Sequence, residues 1–537
     1  MIVVVLSLLR WWLGMQLSLN VPAWEAYDEP GHFAYAVELS SGIAPNEPNP
    51  ERIQPPLYYG IMALALRLSG SNLSVNSFPE RNPYFYTGGG VNYALHRSTP
   101  SAQTVTSERA LRFSRLLSLL LTLPLACFAY QVAKQWRFPL LVATLVTLFP
   151  QGLFNSSMVS NDGLTLMWGA LLTWLLFRSV THHWGQSFLT LLLIAVGGFI
   201  KLNLLLMLFP FAISILLHQR RPLLWLVLIA VLSGITILSL SAIPGVLLPY
   251  LHANGGIATA LETAWSNLTS DNDSLLLGEG FGYLLYSSFG LFGWGTVALP
   301  YWLQVVSLAL ILIGLAVGIV RRQLSLSARG LLISVVVAPI AGALVLTLYY
   351  YNIHLMTGRY LLPALTALCI LLANGWGRRI GWVSVAGMLI LDMLLPSYIG
   401  SFYQRPSAID LVVEHPPVAL LSGAELVDYA VDTQETIVNA RLCWRASQLI
   451  SQDYVVRLEI IGSDGGGYGL LDAIPGNGNH PTTNWVVGEI FCDLYSLRIR
   501  SDAPNGAGYL RVTMLTSSYS DQASVNLENA VVNIVHN

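Results

Sequence analysis

Residues 222–243 read PLLWLVLIAVLSGITILSLSAI, and this stretch contains no charged side chain. A helix needs about 20 consecutive, mostly apolar residues to cross the roughly 30 Å of hydrocarbon in a bilayer. Similar runs recur between residue 1 and residue 396, and 54% of the 537 residues are hydrophobic while 10% are charged. Soluble domains carry about 25% charged residues. The sequence therefore predicts an α-helical polytopic membrane protein.

Eleven apolar segments are candidates for transmembrane helices. They are residues 1–19, 111–132, 138–155, 162–178, 186–200, 202–217, 222–243, 301–320, 330–350, 360–376 and 380–396. The fifth and sixth segments are short for two full crossings. The apolar run Leu57–Leu68 is shorter still, so we expect it to lie at the membrane interface.

The charges between these segments predict the orientation of a multi-pass protein of the plasma membrane. One set of connecting loops contains basic residues and no Asp or Glu. Its basic residues are Lys134, Arg137, Arg178, Arg220, Arg221, Arg321, Arg322, Arg329, Arg378 and Arg379. Because basic loops stay in the cytoplasm, the N-terminus is predicted to be cytoplasmic and the C-terminal region extracytoplasmic. Arg10, inside the first segment, either faces the bundle interior or indicates a start upstream of Met1.

The chain is predicted to have two domains. Residues 1–400 form a transmembrane domain with long outer loops at 20–110 and 244–300, and loops of this length usually carry function. The net charge of −2 provides no basic field for nucleic acid. The short inner loops and the absence of a GxxxxGK[ST] motif argue against a nucleotide-driven enzyme.

Residues 407–537 read as a soluble antiparallel β-sandwich, because short runs of alternating apolar and polar residues are separated by Gly, Asn, Asp and Pro. The predicted strands are residues 436–445, 454–461, 485–491, 494–499, 508–515 and 530–535. Cys443 and Cys492 fall in different strands outside the cytoplasm, where disulfides persist, so we predict a bridge between them. The domain either binds carbohydrate, or it packs on the core or spaces the core from the cell wall.

The first outer loop carries the segment Asp28-Glu29-Pro30-Gly31-His32-Phe33. Pro30 suits the first turn of a helix, with Asp28 or Glu29 as its cap. His32 then lies one turn beyond both carboxylates on a shared face. Such a group provides a general base and a site for substrate hydroxyls or a divalent metal. A capped helix with solvated charges explains the same residues equally well.

Two further polar motifs lie at predicted outer helix ends. Gln54-Pro55-Pro56-Leu57-Tyr58-Tyr59 opens the interfacial run, where tyrosines suit the headgroup layer. Asn161-Asp162 begins the fourth segment. Both have structural alternatives, which are an interfacial anchor for the first and a helix cap for the second.

Several cations are placed where a lipid phosphate would enter. Lys201 interrupts an apolar run, and a cation recessed in a membrane usually pairs with an anion. Arg359 opens the tenth segment, and a guanidinium group forks onto phosphate. Arg109, Arg112 and Arg115 are spaced i, i+3, i+6 at the outer start of the second segment. The alternatives are an ion pair of Lys201 with Asp162 and snorkelling of the arginines to the headgroups.

The order of these motifs resembles the GT-C superfamily of membrane glycosyltransferases. An Asp-Glu pair in the first outer loop precedes Pro-Pro-Leu-Tyr-Tyr, then Asn-Asp, then Gly358-Arg359-Tyr360. The nearest groups are bacterial relatives of protein O-mannosyltransferases and aminoarabinose transferases. A set of bacterial membrane proteins with Asp-Glu-Pro-x-His-Phe and Gly-Arg-Tyr-Leu-x-Pro is also similar. The resemblance covers roughly residues 1–400.

The resemblance implies an inverting transfer of a sugar from a polyprenyl-phosphate donor to an extracytoplasmic glycan, lipid or protein acceptor. Asp28 would act as the base, with Glu29 and His32 positioning the acceptor or a metal; no cofactor is required, and a divalent metal is possible. The donor phosphate would be held by Arg112, Arg115, Lys201 and Arg359. The substrate would be lined by Gln54, Tyr58, Asp162, Trp294 and Tyr360.

The second outer loop contains Phe289-Gly290-Leu291-Phe292-Gly293-Trp294-Gly295, whose aromatic rings could cover a sugar or form an interfacial belt. The loop has no recognisable inserted sugar-binding repeats, unlike true mannosyltransferases, so the resemblance does not single out a protein hydroxyl among the three acceptors. Two other functions remain open: a lipid-linked sugar flippase or transporter, which would favour internal repeats, and a non-catalytic sugar-binding scaffold.

Overall fold

A computed structural model of the chain describes residues 1–42, 49–70, 73, 80–179, 184–218, 222–241, 263, 266, 273–321, 323–411, 417–516 and 522–534. The chain divides into two compact units. The first comprises Met1–Ser77 with Thr106–Ile399, and the second comprises Phe78–Val105 with Gly400–Asn537. Residues 78–105, predicted as part of an outer loop of the transmembrane domain, thus group with the C-terminal residues. The predicted loop 244–300 lies largely outside the described residues before residue 273.

The described residues form fifteen α-helices. They are α1 (Ile2–Asn20), α2 (Glu29–Ser41), α3 (Leu57–Leu68), α4 (Ala102–Leu120), α5 (Leu125–Ala133), α6 (Pro139–Thr147), α7 (Pro150–Ser156), α8 (Asp162–Ser179), α9 (Trp184–Gly198), α10 (Leu208–His218), α11 (Pro222–Ser241), α12 (Asp273–Phe289), α13 (Tyr301–Val320), α14 (Leu326–Tyr350) and α15 (Leu365–Ser401). Short 3-10 helices cover Pro50–Ile53, Phe85–Thr87, Leu202–Met207, Ile353–Leu355, Gly358–Ala364, Leu421–Gly423 and Thr482–Asn484.

Six helical segments among the described residues are long and apolar enough to cross a membrane. They are Ile2–Asn20, Ala102–Ala133, Pro222–Leu240, Tyr301–Val320, Leu326–Tyr350 and Ile353–Ser401. The pair α6 and α7, bent by 53°, makes a seventh if it counts as one span. The last segment contains two predicted spans, and Gly377 (φ 66°) breaks the helix between them. Each of the eleven predicted segments overlaps a helix among the described residues, while the number of complete crossings stays a prediction.

Arg10 points into the bundle, which is the first of the two alternatives that the sequence left open. Its side chain is buried and donates to the carbonyl oxygens of Thr147 (2.6 Å) and Gly152 (2.9 Å) and to the Ser156 hydroxyl (2.6 Å). These acceptors lie at the bend between α6 and α7. Backbone carbonyls that a bend frees in an apolar environment need a donor, so Arg10 stabilises the bend.

Helices α13 and α15 pack closely because each presents small residues to the other. Gly314 and Gly318 on α13 lie four residues apart, and Gly375 faces them from α15. A Cβ atom at Gly318 would overlap the carbonyl oxygen of Leu371, and one at Gly375 would overlap that of Gly314. Asn374 donates to the Gly318 carbonyl at 2.7 Å. Such small-residue contacts let helix backbones approach within a membrane.

Replacing Gly318 by Leu is expected to destabilise the helix bundle, because the new side chain overlaps the backbone of α15. We expect a loss of roughly 3 kcal/mol or more, measured as a lower thermal midpoint of the full-length protein in detergent. Gly387→Leu is the matched control, since a Cβ atom there meets nothing within 4 Å. Equal midpoints for the two variants would contradict this account of the packing.

The second unit contains two four-stranded antiparallel sheets. One has the strand order β10 (Gln522–Ile534), β9 (Gly506–Thr516), β6 (Tyr454–Ile461), β7 (Gly467–Ala473), and the other has β3 (Val418–Ala419), β4 (Ala424–Gln434), β5 (Ile437–Ala446), β8 (Ile490–Arg498). A two-residue pair, β1 (Leu291–Phe292) and β2 (Val297–Ala298), lies in the first unit. The sandwich core is apolar around Trp444.

The strand predictions were correct in type and wrong in some boundaries. Residues 485–491 and 494–499 were predicted as two strands, but β8 runs unbroken over Ile490–Arg498. None of the predicted strands covers β4 or β7. Cys443 and Cys492 lie directly opposite each other on β5 and β8 and are joined by a disulfide.

Residues 80–97 pack as a part of the second unit. Asn92 donates to the Gly478 carbonyl at 2.7 Å. Arg97 forms an ion pair with Asp453 at 2.7 Å. Leu95 is buried in a small apolar cluster with Val455, Ile474 and Leu515. This segment lies between two predicted transmembrane stretches in the sequence, and the alternation of polar and apolar residues within it gave no sign of its partner.

The pKa values of Asp493, which is buried, and His480, which is half-buried, are shifted in opposite directions. Burial raises the pKa of Asp493 to about 6, although Gly476 N–H and the Tyr495 hydroxyl donate to its carboxylate. Burial lowers the pKa of His480 to about 4, with Arg405 as a smaller cause. The native state therefore binds more protons at Asp493, and fewer at His480, than an unfolded chain with pKa values of about 3.9 and 6.5.

The contributions of Asp493 and His480 to the pH dependence of the free energy of unfolding are expected to cancel. As pH rises from 4 to 6, Asp493 lowers the free energy of unfolding and His480 raises it, each by an amount on the order of 2 kcal/mol. In Asp493→Asn, protection of strand β8 should rise with pH over this range, and in His480→Phe it should fall. Hydrogen exchange of the full-length protein, corrected for intrinsic rates, measures both slopes. Parallel slopes in the two variants would contradict the assignment.

Candidate active site

Four charged side chains from separate parts of the first unit meet in what we call the charge cluster: Asp28, Asp162, Lys201 and Arg359. Arg359 Nη2 lies 2.9 Å from Asp28 Oδ2, and Arg359 Nη1 lies 4.0 Å from Asp162 Oδ2. Lys201 Nζ donates to Asp162 Oδ1. Two cations and two carboxylates therefore balance each other, and the sequence alternative of a Lys201–Asp162 ion pair is the arrangement observed.

Helix and turn boundaries position each member of the charge cluster. Asp28 immediately precedes α2, and Asp162 is the first residue of α8. Lys201 follows α9 and precedes a 3-10 helix, while Arg359 lies in the 3-10 helix Gly358–Ala364. All four lie at element ends, where side chains leave the regular helix packing and can converge.

Asp28 departs from the predicted role of a helix cap. It occupies the N-cap position of α2 in a left-handed conformation (φ 58°), and its carboxylate accepts no capping hydrogen bond. The carboxylate turns to Arg359 and keeps a quarter of its side chain exposed. A left-handed conformation in a residue other than Gly stores strain, and such strain concentrates at functional sites. The geometry therefore favours a role for Asp28 beyond starting the helix.

A close backbone approach positions Arg359. A Cβ atom on Gly358 would overlap the backbone of Ser288 on α12, and Gly358 N–H donates to the Ser287 hydroxyl at 2.8 Å. The residue before Arg359 therefore has to be glycine for this contact to form.

Tyrosine rings lie beside both cations of the charge cluster. The Arg359 guanidinium lies 4.2 Å from the Tyr27 ring centroid, and Lys201 Nζ lies 5.7 Å from the Tyr360 ring centroid. Cations over aromatic faces are stabilised electrostatically. Burial raises the pKa of Tyr27 to about 12, against the opposing effect of Arg359. Tyr27 thus remains a neutral phenol at physiological pH.

Glu29 and Arg115 form a separate ion pair with fully buried side chains. Arg115 donates to both carboxylate oxygens, at 2.8 and 2.6 Å, and to the carbonyl oxygens of Ser18, Val21 and Pro22. Glu29 also accepts from the Val159 N–H at 3.0 Å. The pair ties the end of α1 to α2, α4 and the turn before α8. This geometry favours a structural role for two residues that the resemblance assigns to acceptor positioning and phosphate binding.

His32 lies in a third group, which sequence reasoning did not identify. His32 Nδ1 is 2.7 Å from the Tyr59 hydroxyl and 3.5 Å from Glu51 Oε2. Burial raises the pKa of Glu51, and Asp28 adds to this effect while His32 and Arg359 oppose it. A Cβ atom on Gly31 would lie 2.8 Å from Glu51 Cγ. Glycine at position 31 therefore provides the space that Glu51 occupies.

The remaining predicted site residues contact different partners. Gln54 accepts from Asn161 at 3.2 Å, and Tyr58 bonds Ser118 at 2.6 Å. Trp294 donates to the Trp24 carbonyl at 2.9 Å, and its ring centroid lies 5.5 Å from that of Tyr27. Arg112 donates to the Leu19 carbonyl at 3.1 Å.

The structure therefore divides the predicted site. Asp28, Lys201, Arg359 and Asp162 come together, and the Tyr360 ring lies beside Lys201. Trp294 contacts the Tyr27 ring, which lies beside Arg359. The three side chains at positions 28, 29 and 32, predicted to share one face, go to three different partners. Within the described ranges no group of three or more His, Cys, Asp or Glu side chains is arranged to hold a metal ion.

Comparison with solved structures finds a likeness to the crystal structure of ArnT from Cupriavidus metallidurans bound to undecaprenyl phosphate. The identity is 13%, the match covers 70% of this chain and 77% of that chain, and the TM-score is 0.29. No protein-family model and no curated protein matches the chain. A match with a TM-score of 0.29 says nothing about the chemistry of this chain.

Replacing Glu29 by Gln is expected to destabilise the first unit, because it leaves the buried Arg115 guanidinium without a counter-charge. Breaking a buried pair from one side costs roughly 3 kcal/mol or more, so the thermal midpoint in detergent should fall without any substrate present. Removing both charges (Glu29→Gln with Arg115→Gln) should recover part of the loss. Glu108→Gln on α4 is the control, and an unchanged midpoint in Glu29→Gln would refute the structural role.

Proposed function

We propose that the protein is a GT-C-type glycosyltransferase that transfers a sugar from a polyprenyl-phosphate donor. The observation that carries this proposal is the charge cluster, in which a partly exposed carboxylate (Asp28) and two cations (Lys201 and Arg359) come within reach of one ligand. A phosphate and the hydroxyl that attacks the sugar beside it need this combination of groups. The apolar helices around the cluster suit a donor with a polyprenyl tail.

Arg359 and Lys201 would bind the phosphate of the donor. As the bond between the anomeric carbon and the phosphate oxygen breaks, negative charge grows on the phosphate, and fixed cations stabilise that charge. The guanidinium group suits two phosphate oxygens at once, while the ammonium group acts as a point charge. A phosphate leaves without being protonated, so no second acid is needed.

Asp28 would take the proton of the acceptor hydroxyl as that oxygen attacks the anomeric carbon from the opposite face. One displacement of this kind inverts the anomeric configuration. In the structure the Asp28 carboxylate accepts a hydrogen bond from Arg359 at 2.9 Å. A donor phosphate competes for Arg359, and its binding releases the Asp28 carboxylate. Donor binding would in this way prepare the base.

Asp162 would keep Lys201 in place during this exchange. Its side chain is almost fully buried, whereas that of Asp28 is a quarter exposed. The more exposed carboxylate exchanges its partner more readily, because water compensates it while it is free. Glu51 and His32, which lie 3.5 Å apart, would orient the acceptor side of the site.

The charge asymmetry of the sequence supports placing this site on the extracytoplasmic side of the plasma membrane. The acceptor would then be a glycan, lipid or protein hydroxyl outside the cytoplasm. Transport of a lipid-linked sugar, or binding without transfer, are the outcomes that the following experiment separates from catalysis.

Replacing Asp28 by Asn is expected to lower the rate of sugar transfer about 100-fold or more, because general-base catalysis contributes on the order of 10² to 10⁴ in rate. The assay incubates purified full-length protein with a panel of polyprenyl-phosphate sugars and reads the products by mass spectrometry. Binding of polyprenyl phosphate should persist in this variant.

Two variants control the experiment. Arg359→Lys keeps the charge but loses the fork, so it should weaken donor binding as well as transfer. Asp410→Asn changes an exposed carboxylate outside the charge cluster and should match the unaltered protein. If the Asp28→Asn variant still transfers the sugar, Asp28 is not the base. If the unaltered protein binds the donors of the panel but transfers none of their sugars, the result favours a transporter or a scaffold.

A further inference from the structure

A cleft of about 530 Å³ lies in the first unit where α1 begins, α5 turns into α6 and the second half of α15 starts. Arg137 and Arg378 line it together with Tyr130, Trp382 and Ile2. None of the charge cluster residues borders this cleft. Its arginines belong to the loops that the charge asymmetry predicts to be cytoplasmic, whereas the charge cluster is predicted to face outward.

The cleft has an unbalanced positive charge. Both arginine side chains are exposed, and no Asp or Glu lies among the lining residues. The ion pairs formed by the described residues include neither Arg137 nor Arg378. The Arg137 guanidinium lies 5.3 Å from the Phe138 ring centroid. Two guanidinium groups at one cleft fit a phosphate group.

Two glycines of α15 bring the arginines to the same cleft. Gly377 adopts φ 66°, a conformation that favours glycine, and breaks the helix immediately before Arg378. One turn later, a Cβ atom on Gly381 would overlap the side chain of Leu141 on α6. The second half of α15 therefore lies against α6, whose first turn follows Arg137.

The surface beside the cleft is apolar and exposed. Ile2 is 53% exposed, Trp382 38% and Val383 72%. In a polytopic membrane protein such side chains face lipid, and arginines at the ends of apolar helices lie at headgroup depth with aromatic residues. The cleft therefore combines an anion site with a surface for acyl chains.

We propose that this cleft binds an anionic phospholipid, with Arg137 and Arg378 holding its phosphate and the acyl chains lying on the exposed faces of α1 and α15. A free phosphate ion shares the headgroup chemistry but has no use for the apolar surface. A zwitterionic lipid has the apolar chains but carries a cation that two arginines repel.

Native mass spectrometry of the full-length protein in detergent tests the proposal with phosphatidylglycerol as the probe. Arg137→Gln with Arg378→Gln should weaken phosphatidylglycerol binding about tenfold or more. The matched control is Lys134→Gln with Arg379→Gln, which removes the same charge from the same two loops at exposed positions that do not line the cleft. The control should change binding by less than about twofold.

Three results would overturn the proposal. The two double variants could lose phosphatidylglycerol binding equally, which indicates a diffuse surface charge. Phosphatidylcholine could bind as tightly as phosphatidylglycerol, or equimolar inorganic phosphate could displace phosphatidylglycerol. Thermal midpoints verify that the variants fold. If the double variant Arg137→Gln with Arg378→Gln fails to fold, the double variant Arg137→Lys with Arg378→Lys is tested in its place, because it keeps both charges. Loss of the two-point contact should then weaken phosphatidylglycerol binding several-fold, and unchanged binding would refute the site.

Discussion

A charged side chain inside an apolar helix bundle persists where another charge or several backbone carbonyls neutralise it. The first unit meets this constraint in two ways. Arg10 is held by carbonyls and a hydroxyl at the bend between α6 and α7, whereas Arg115 is held by Glu29 and three carbonyls. Arg359 is neutralised by Asp28 and Asp162, which are more than a hundred residues apart in the sequence. The arrangement of the site depends on this last pairing.

The neighbouring acidic residues Asp28 and Glu29 differ in the solvent exposure of their side chains, and this difference favours different roles for them. Both carboxylates have an arginine partner. Glu29 is sealed with Arg115 and also accepts a backbone N–H, so exchanging its partner would leave a buried charge. Asp28 is partly exposed, so water can solvate it when Arg359 turns to another anion. In the proposed mechanism, these adjacent residues of one motif therefore divide stability and reactivity between them.

Much of the architecture could be predicted from the sequence, because apolar length and strand alternation are local properties. Each of the eleven predicted apolar segments overlaps a helix, and the second unit is a β-sandwich. The bend between α6 and α7, the break at Gly377 and the grouping of residues 78–105 with the C-terminal residues depend on contacts distant in sequence. Alternation within 80–97 carries no information about which sheet receives the segment.

The candidate site was predictable in part for the same reason. Cations that interrupt apolar runs, such as Lys201, are visible in the sequence because a bilayer makes them costly. Glu51 could not be identified from the sequence, because a carboxylate in a polar loop has no energetic penalty that would mark it. Its position also depends on the space that Gly31 leaves by having no side chain. The left-handed conformation of Asp28 was also hidden, since an Asp before Glu-Pro reads as an ordinary helix cap.

The exact balance of charge among Asp28, Asp162, Lys201 and Arg359 affects how any anion reaches them. Opposite charges a few ångströms apart cancel at distances beyond roughly 10 Å, where salt also screens what remains. An approaching lipid would feel little long-range attraction and would arrive by lateral diffusion in the bilayer. The site would therefore capture anions at a rate almost independent of ionic strength, and select among them at contact range by the rearrangement of one ion pair.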